Sequence, residues 1–86
     1  MKPSSDAEIL NEVRGFVVAT FRRGRGQGIE DGTRLVRSGI IGPGGIGQVV
    51  RFLENRFHIR IESEELADRN FDTLSAITAL VSRKLA

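Results

Sequence analysis

The stretch with the most suggestive spacing is Gly42-Pro43-Gly44-Gly45-Ile46-Gly47, which fits G-x-G-x-x-G. In dinucleotide-binding folds that spacing lets a tight turn bring backbone N–H groups against a pyrophosphate. The chemistry needs a buried strand before the turn, a helix after it and a parallel sheet to hold both. A helical pattern does follow. Arg37 and Ser38 interrupt the apolar run before it, however, and the chain offers no other β-α-β unit. What remains is the lesser capacity of a glycine-rich helix start to hold a free phosphate or carboxylate through N–H groups. Arg22-Arg23-Gly24-Arg25-Gly26 resembles tracts that grip RNA by charge and stacking, but it has no aromatic neighbours. It reads as a solvated loop, with an anionic protein partner as the variant. His58 is the only histidine and there is no cysteine. Thiolate chemistry, disulfides and a His-based metal cluster are therefore not expected. Glu62, Glu64 and Glu65 read as a solvated helical turn. No carboxylate pair or Ser-His-Asp arrangement stands out, and no catalytic residue is assigned.

Composition frames these motifs. The chain has 86 residues, 40% of them hydrophobic and 28% charged, the make-up of one small globular domain. The basic residues are eleven Arg and two Lys, yet the formal net charge is only +2, too small to argue for nucleic acid by itself. The N-terminal residues do not read as a signal peptide, and no apolar run is long enough for a membrane span. The default expectation is a cytoplasmic protein.

The elements that must position these residues are helical. Ser5-Asp6-Ala7-Glu8 has the Ser-x-x-Glu spacing of a capping box. Behind it Ile9, Val13, Phe16, Val17 and Thr20 recur at helical spacing, which predicts a first helix ending near Phe21. A long loop to about Ile41 follows, with Ile29, Leu35, Val36, Ile40 and Ile41 expected to pin it to the core. Ile46, Val49, Val50, Leu53 and Phe57 form the stripe of a second helix. Pro43 suits that helix's first turn, where a missing N–H costs nothing. His58-Ile59-Arg60-Ile61 alternates but has no strand to pair with, so it reads as an extended connector. Ser63-Glu64-Glu65-Leu66 suggests a short helical turn. A last helix is expected from near Phe71-Asp72, with Asp72 as N-cap and a stripe of Leu74, Ile77, Leu80, Val81 and Leu85. Residues 1–86 form one domain with residues 1–5 as a flexible N-terminus. The fold class is all-α, a small four-helix bundle with a long loop between helices 1 and 2.

This order of elements resembles the acyl carrier proteins. Ile29-Glu30-Asp31-Gly32-Thr33-Arg34-Leu35-Val36-Arg37-Ser38-Gly39-Ile40-Ile41 is similar to the loop leading into that family's second helix. Phe52-Leu53-Glu54-Asn55-Arg56-Phe57-His58-Ile59-Arg60-Ile61 is similar to the second helix's exit. Glu64-Glu65-Leu66 followed by Asn70-Phe71-Asp72-Thr73-Leu74 resembles the third helix and the start of the fourth. The resemblance covers residues 6–85. It implies a four-helix bundle that carries acyl, aminoacyl or polyketide groups on a 4′-phosphopantetheine arm. The arm is joined to a serine in an Asp-Ser-Leu motif directly after the Ser-Gly-Ile-Ile segment.

Here the motif's place is taken by Gly42-Pro43-Gly44. Attachment needs a hydroxyl oxygen to attack an activated phosphate, and none of the three residues has one. No phosphopantetheine attachment site, and hence no cofactor, is expected. Ser38, Thr73 and Ser75 are the hydroxyls nearest to substituting for it. Asp72-Thr73-Leu74 imitates the missing motif, but its expected role is to start a helix. The second-helix face also departs from the family's acidic one: Gln48, Arg51, Glu54, Asn55 and Arg56 carry two positive charges and one negative. His58 stands where the family often has glycine, at a left-handed helix cap. The expectation is therefore a non-catalytic, non-carrying module that binds protein partners among acyl-, polyketide- or peptide-assembly enzymes. Its contact surface would be Gly45, Ile46, Gln48, Arg51 and Arg56. No nucleic acid, membrane or metal is expected, and the chain reads as a monomer. The alternatives are a working carrier with an unconventional attachment site and a non-covalent lipid or anion binder.

Overall fold

The computed structural model describes residues 5–22 and 29–86. Three α-helices make the frame: α1 (Asp6–Phe21), α2 (Gly45–Phe57) and α3 (Leu74–Leu85). Between α2 and α3 lie two single 3₁₀ turns, Ser63–Glu65 and Asp68–Asn70. Among the described residues there is no strand. Residues 23–28, which hold most of the arginine-glycine tract, lie outside the described part, as do residues 1–4.

The helix α1 begins where the capping signal predicts. The Ser5 hydroxyl accepts the Glu8 N–H and the Glu8 carboxylate accepts the Ser5 N–H at 2.9 Å, so both halves of the box are formed. Ile9, Val13 and Val17 are buried. Thr20 is exposed and Phe16 is only half-buried, so the buried stripe is narrower than the sequence suggests.

The long loop is packed down. Ile29, Leu35 and Ile41 are buried in one core with Val49, Leu53 and Phe57 of α2 and with Leu74, Ile77, Leu80 and Val81 of α3. Residues 35–41 fold as consecutive turns: Ser38 N–H donates to the Arg34 carbonyl, Gly39 N–H to Val36 and Ile41 N–H to Leu35. This is the segment that a dinucleotide fingerprint requires as a strand.

Two expectations about the second half change. A fourth α-helix is not formed. Residues 63–70 run between the buried anchors Ile61 and Phe71, and neither 3₁₀ turn buries a residue. Leu66 is itself 43% exposed. Without an apolar face to bury, helix propagation brings no packing gain. The segment is instead closed by polar links: Lys84 Nζ donates to Glu65 Oε1 at 2.8 Å, and Asn70 Nδ2 to the Glu65 carbonyl at 2.9 Å.

Asp72 is also not a helix cap. The N-cap of α3 is Thr73, whose Oγ1 accepts the Ala76 N–H at 2.9 Å. Asp72, one residue earlier, is buried and reaches across to the long loop. Its Oδ1 accepts the N–H groups of Val36 at 2.9 Å and Arg37 at 3.1 Å. Its Oδ2 meets Arg34 Nη1 at 3.1 Å and Arg37 Nε at 3.5 Å. Its carbonyl accepts the Leu35 N–H. One residue thus ties the loop before α2 to the start of α3.

Candidate functional site, the start of the second helix and its flank

The turns of residues 35–41 deliver the chain to Gly42, and α2 begins three residues later. The Gly45 N–H donates to the Gly42 carbonyl at 2.8 Å, closing a turn around Pro43 and Gly44. Gly44 is the N-cap and sits at φ 83°, in the left-handed region where a side chain is strained. Pro43 therefore stands outside the helix, exposed on the turn, and not in its first turn as expected. The start of α2 has no side-chain cap and no acid in its first turn. Two of the features that usually complete a helix N-terminus are thus missing here.

Gly45 is buried. A Cβ there would lie 2.8 Å from Ile41 Cγ2 and 3.0 Å from Phe21 Cε1. Its glycine lets α2 approach the loop and the end of α1, so Gly45 belongs to the packing and leaves the expected contact surface. Ile46 is half-buried. With Val36, Gly39, Ile41, Gly42, Pro43, Gly44 and Asp68 it lines an open, mainly apolar pocket of about 340 Å³.

The three candidate substitute hydroxyls have different surroundings. Ser38 Oγ accepts the Ile40 N–H at 3.4 Å. Thr73 Oγ1 caps α3. Ser75 is exposed and its N–H donates to the Asp31 carbonyl at 3.1 Å. At the turn itself Gly42, Pro43 and Gly44 present no nucleophilic oxygen.

The rest of the expected surface divides in two. Glu54 is half-buried and accepts the Ile61 N–H at 2.9 Å, fixing the connector after α2. His58 ends α2 at φ 57°, ψ 46°, the left-handed cap anticipated for it. Arg56 reaches to α1 and holds Glu12 through two guanidinium nitrogens. That hydrogen bond and the Glu12 charge push its pKa further up. Gln48, Arg51 and Asn55 are exposed on one strip of α2.

That strip forms one wall of a groove between α1 and α2, unforeseen in the sequence, lined also by Phe16, Thr20, Phe52 and Arg56. Its floor is an aromatic stack: the Phe16 and Phe52 rings lie 4.3 Å apart at 12°. Phe21 meets Phe16 edge-on, and Phe57 meets Phe52 edge-on. The signal available in the sequence was weak: periodicity places Phe16 in the first helix's stripe and leaves Phe52 beside the second's.

The Asp72 carboxyl is the described residues' most heavily engaged acid. Burial pushes its pKa up, but the Arg37 N–H, the Arg34 guanidinium and the Val36 N–H outweigh burial and hold it below the usual aspartate range. Among the described residues no group of three or more His, Asp or Glu side chains is gathered to hold a metal ion, and no helix is long and apolar enough to cross a membrane. Comparison with models of known protein families and with curated proteins finds no match to this chain.

Proposed function

We propose that this chain is a module of acyl-carrier-protein type that has given up covalent carriage and acts by binding protein partners. It has no catalysis of its own, carries no 4′-phosphopantetheine and works in the cytoplasm beside acyl-, polyketide- or peptide-assembly enzymes. In this reading the two 3₁₀ turns stand in the place of the family's third helix. The observation that carries it is Pro43, exposed on a glycine turn where the carrier chemistry requires a serine hydroxyl. Around that turn the supporting parts are intact: the loop is packed and anchored on Asp72, and the buried stripes of all three helices meet in one core. A scaffold kept whole around a missing nucleophile fits binding better than acyl transfer. The surface left for partners is Ile46, Gln48 and Arg51, with Arg56 beside them.

The test is the intact mass after co-expression with a broad phosphopantetheinyl transferase and coenzyme A. An unshifted mass is expected. A mass raised by one arm overturns the reading and directs mapping to Ser38, Thr73 and Ser75. A restored motif sharpens the result: the double variant Gly42→Asp, Pro43→Ser keeps Gly44, whose positive φ a leucine would strain. Modification of this variant alone shows that the missing hydroxyl is what prevents attachment.

A second reading, non-covalent binding of an apolar chain, is favoured by the pocket of Val36, Ile41, Pro43 and Ile46 beside the turn. Calorimetry with fatty acids and with acyl-coenzyme A tests it, and flat titrations remove it.

A further inference from the structure

The groove between α1 and α2 has a chemical character distinct from the turn at Pro43. Its floor is the stacked pair Phe16 and Phe52, apolar surface left open to solvent at the edge of an otherwise closed core. Its α2 wall presents Gln48, Arg51 and Asn55, and no acid lines it. Among the described residues the side chains of Arg51, Arg60 and Arg69 make no ion pair or hydrogen bond, whereas Arg14, Arg34, Arg37 and Arg56 each hold a carboxylate; of the three, Arg51 alone lines this groove. Glu12 offsets Arg56 at one end of the groove, which leaves Arg51 as its uncompensated charge. The lining residues of α2 run from Gln48 to Arg56, about 12 Å along a helix axis, or roughly two turns.

We infer that this groove docks a short acidic amphipathic helix of a partner protein, with one aromatic or long aliphatic side chain seated on Phe16 and Phe52. The partner's Asp or Glu side chains would meet Arg51 and the amides of Gln48 and Asn55. The inference rests on the reading of the chain as an interaction module and gives that module's partner a chemistry. The apolar floor calls for an anchor of matching surface, and an unpaired cation over it calls for an anion. An occupant helix lying against two helices uses the groove mode of peptide recognition. The polarity is the reverse of an acidic helix face seeking basic partners, and it follows from Arg51 and Gln48.

The test selects a displayed library of random peptides against the whole protein at low salt and reads the sequences. Enriched peptides are expected to combine an aromatic or long aliphatic anchor with two or more acids at helical spacing. Their binding should weaken about tenfold or more with Arg51→Glu and should fall with added salt. Asn55→Glu provides a second exposed substitution on the same wall. Both variants are compared with the wild type by thermal melting, so that loss of binding is read on folded protein. Amide shifts of labelled protein on adding a selected peptide should centre on Phe16, Thr20, Arg51, Phe52 and Asn55.

Neutral or basic peptides, no enrichment, or binding indifferent to both variants would overturn the inference. Acidic peptides that shift Ile41 and Ile46 instead would overturn the groove while leaving the interaction module standing. That broader reading fails on a different measurement, an arm found by intact mass. A self-association abolished by Arg51→Glu and by Leu66→Ser would also overturn it, naming a second copy of this chain as the occupant.

Discussion

The two loop-to-helix junctions of this molecule are built in opposite ways. At the start of α3, Thr73 caps the helix, and the preceding Asp72 collects two backbone N–H groups and two guanidinium groups from a loop more than thirty residues away in sequence. At the start of α2, the N-cap is a glycine in the left-handed region, the first turn has no acid, and the exposed residue is a proline. The first junction is committed to holding the fold. The second makes few polar commitments, and its one tight constraint is steric, at Gly45. The contrast gathers the described polar links at α3 and leaves the start of α2 with few of them.

The comparison breaks most readily at Asp72. Replacing it with Ala leaves the Val36 and Arg37 N–H groups without their acceptor and frees the loop, so the urea midpoint should fall by roughly 1–2 M. The carboxyl's pKa is depressed in the folded state. Its stabilising contribution is therefore full above the ordinary aspartate value of about 3.9 and is lost as pH falls through the lower folded value. Urea unfolding repeated between neutral and acid pH should show stability falling on the acid side, with a shallower fall in Asp72→Asn. An unchanged slope in that variant would deny Asp72 its anchoring role.

The next effect belongs to the other junction. Gly45→Ala forces a methyl against Ile41 and Phe21 and should cost about 1–3 kcal/mol in urea unfolding. If the cost is absent, the close approach of α2 to the loop is looser than described. Thr73→Ala removes a side-chain cap and should cost about 1 kcal/mol. Gly47→Ala works in the opposite direction. It lies on the open side of the first turn of α2 with nothing near its Cβ, and should stabilise by about 0.5–1 kcal/mol. The pair Gly45→Ala and Gly47→Ala thus has opposite signs within a single helical turn. Least affected should be Glu12→Gln: its partner Arg56 is well exposed, and the melting temperature should stay within a degree or two of the wild type.

Much of this was legible in the residues. The capping box fixed the beginning of α1, because its two hydrogen bonds are local and need only Ser5 and Glu8 at the right spacing. The stripe of Val49, Leu53 and Phe57 and that of Leu74, Ile77 and Val81 marked α2 and α3, since a helix repeats its buried face by geometry alone. The left-handed cap at His58 was expected only through the resemblance to a family that often has glycine there. That Pro43 offers no hydroxyl needed no coordinates, because its side chain lacks one in any conformation.

Other features depended on neighbours distant in the chain. Asp72 has the residue type of a helix cap, and only the position of residues 34–37 against it makes it the loop's anchor. Residues 63–70 carry helix-forming types, but their side chains find no face to bury and stop at two 3₁₀ turns. Gly45 looks like one more flexible glycine until Ile41 and Phe21 close on it. Phe16 and Phe52 belong to separate helices, and whether they fill the core or floor a groove is set by how α1 and α2 pack. The sequence by itself marked the buried stripes of the three α-helices and the absence of a hydroxyl at Pro43, because both are properties of residue type and spacing. The tertiary structure decided which polar groups are used up and which surface stays open, because those depend on what each side chain meets.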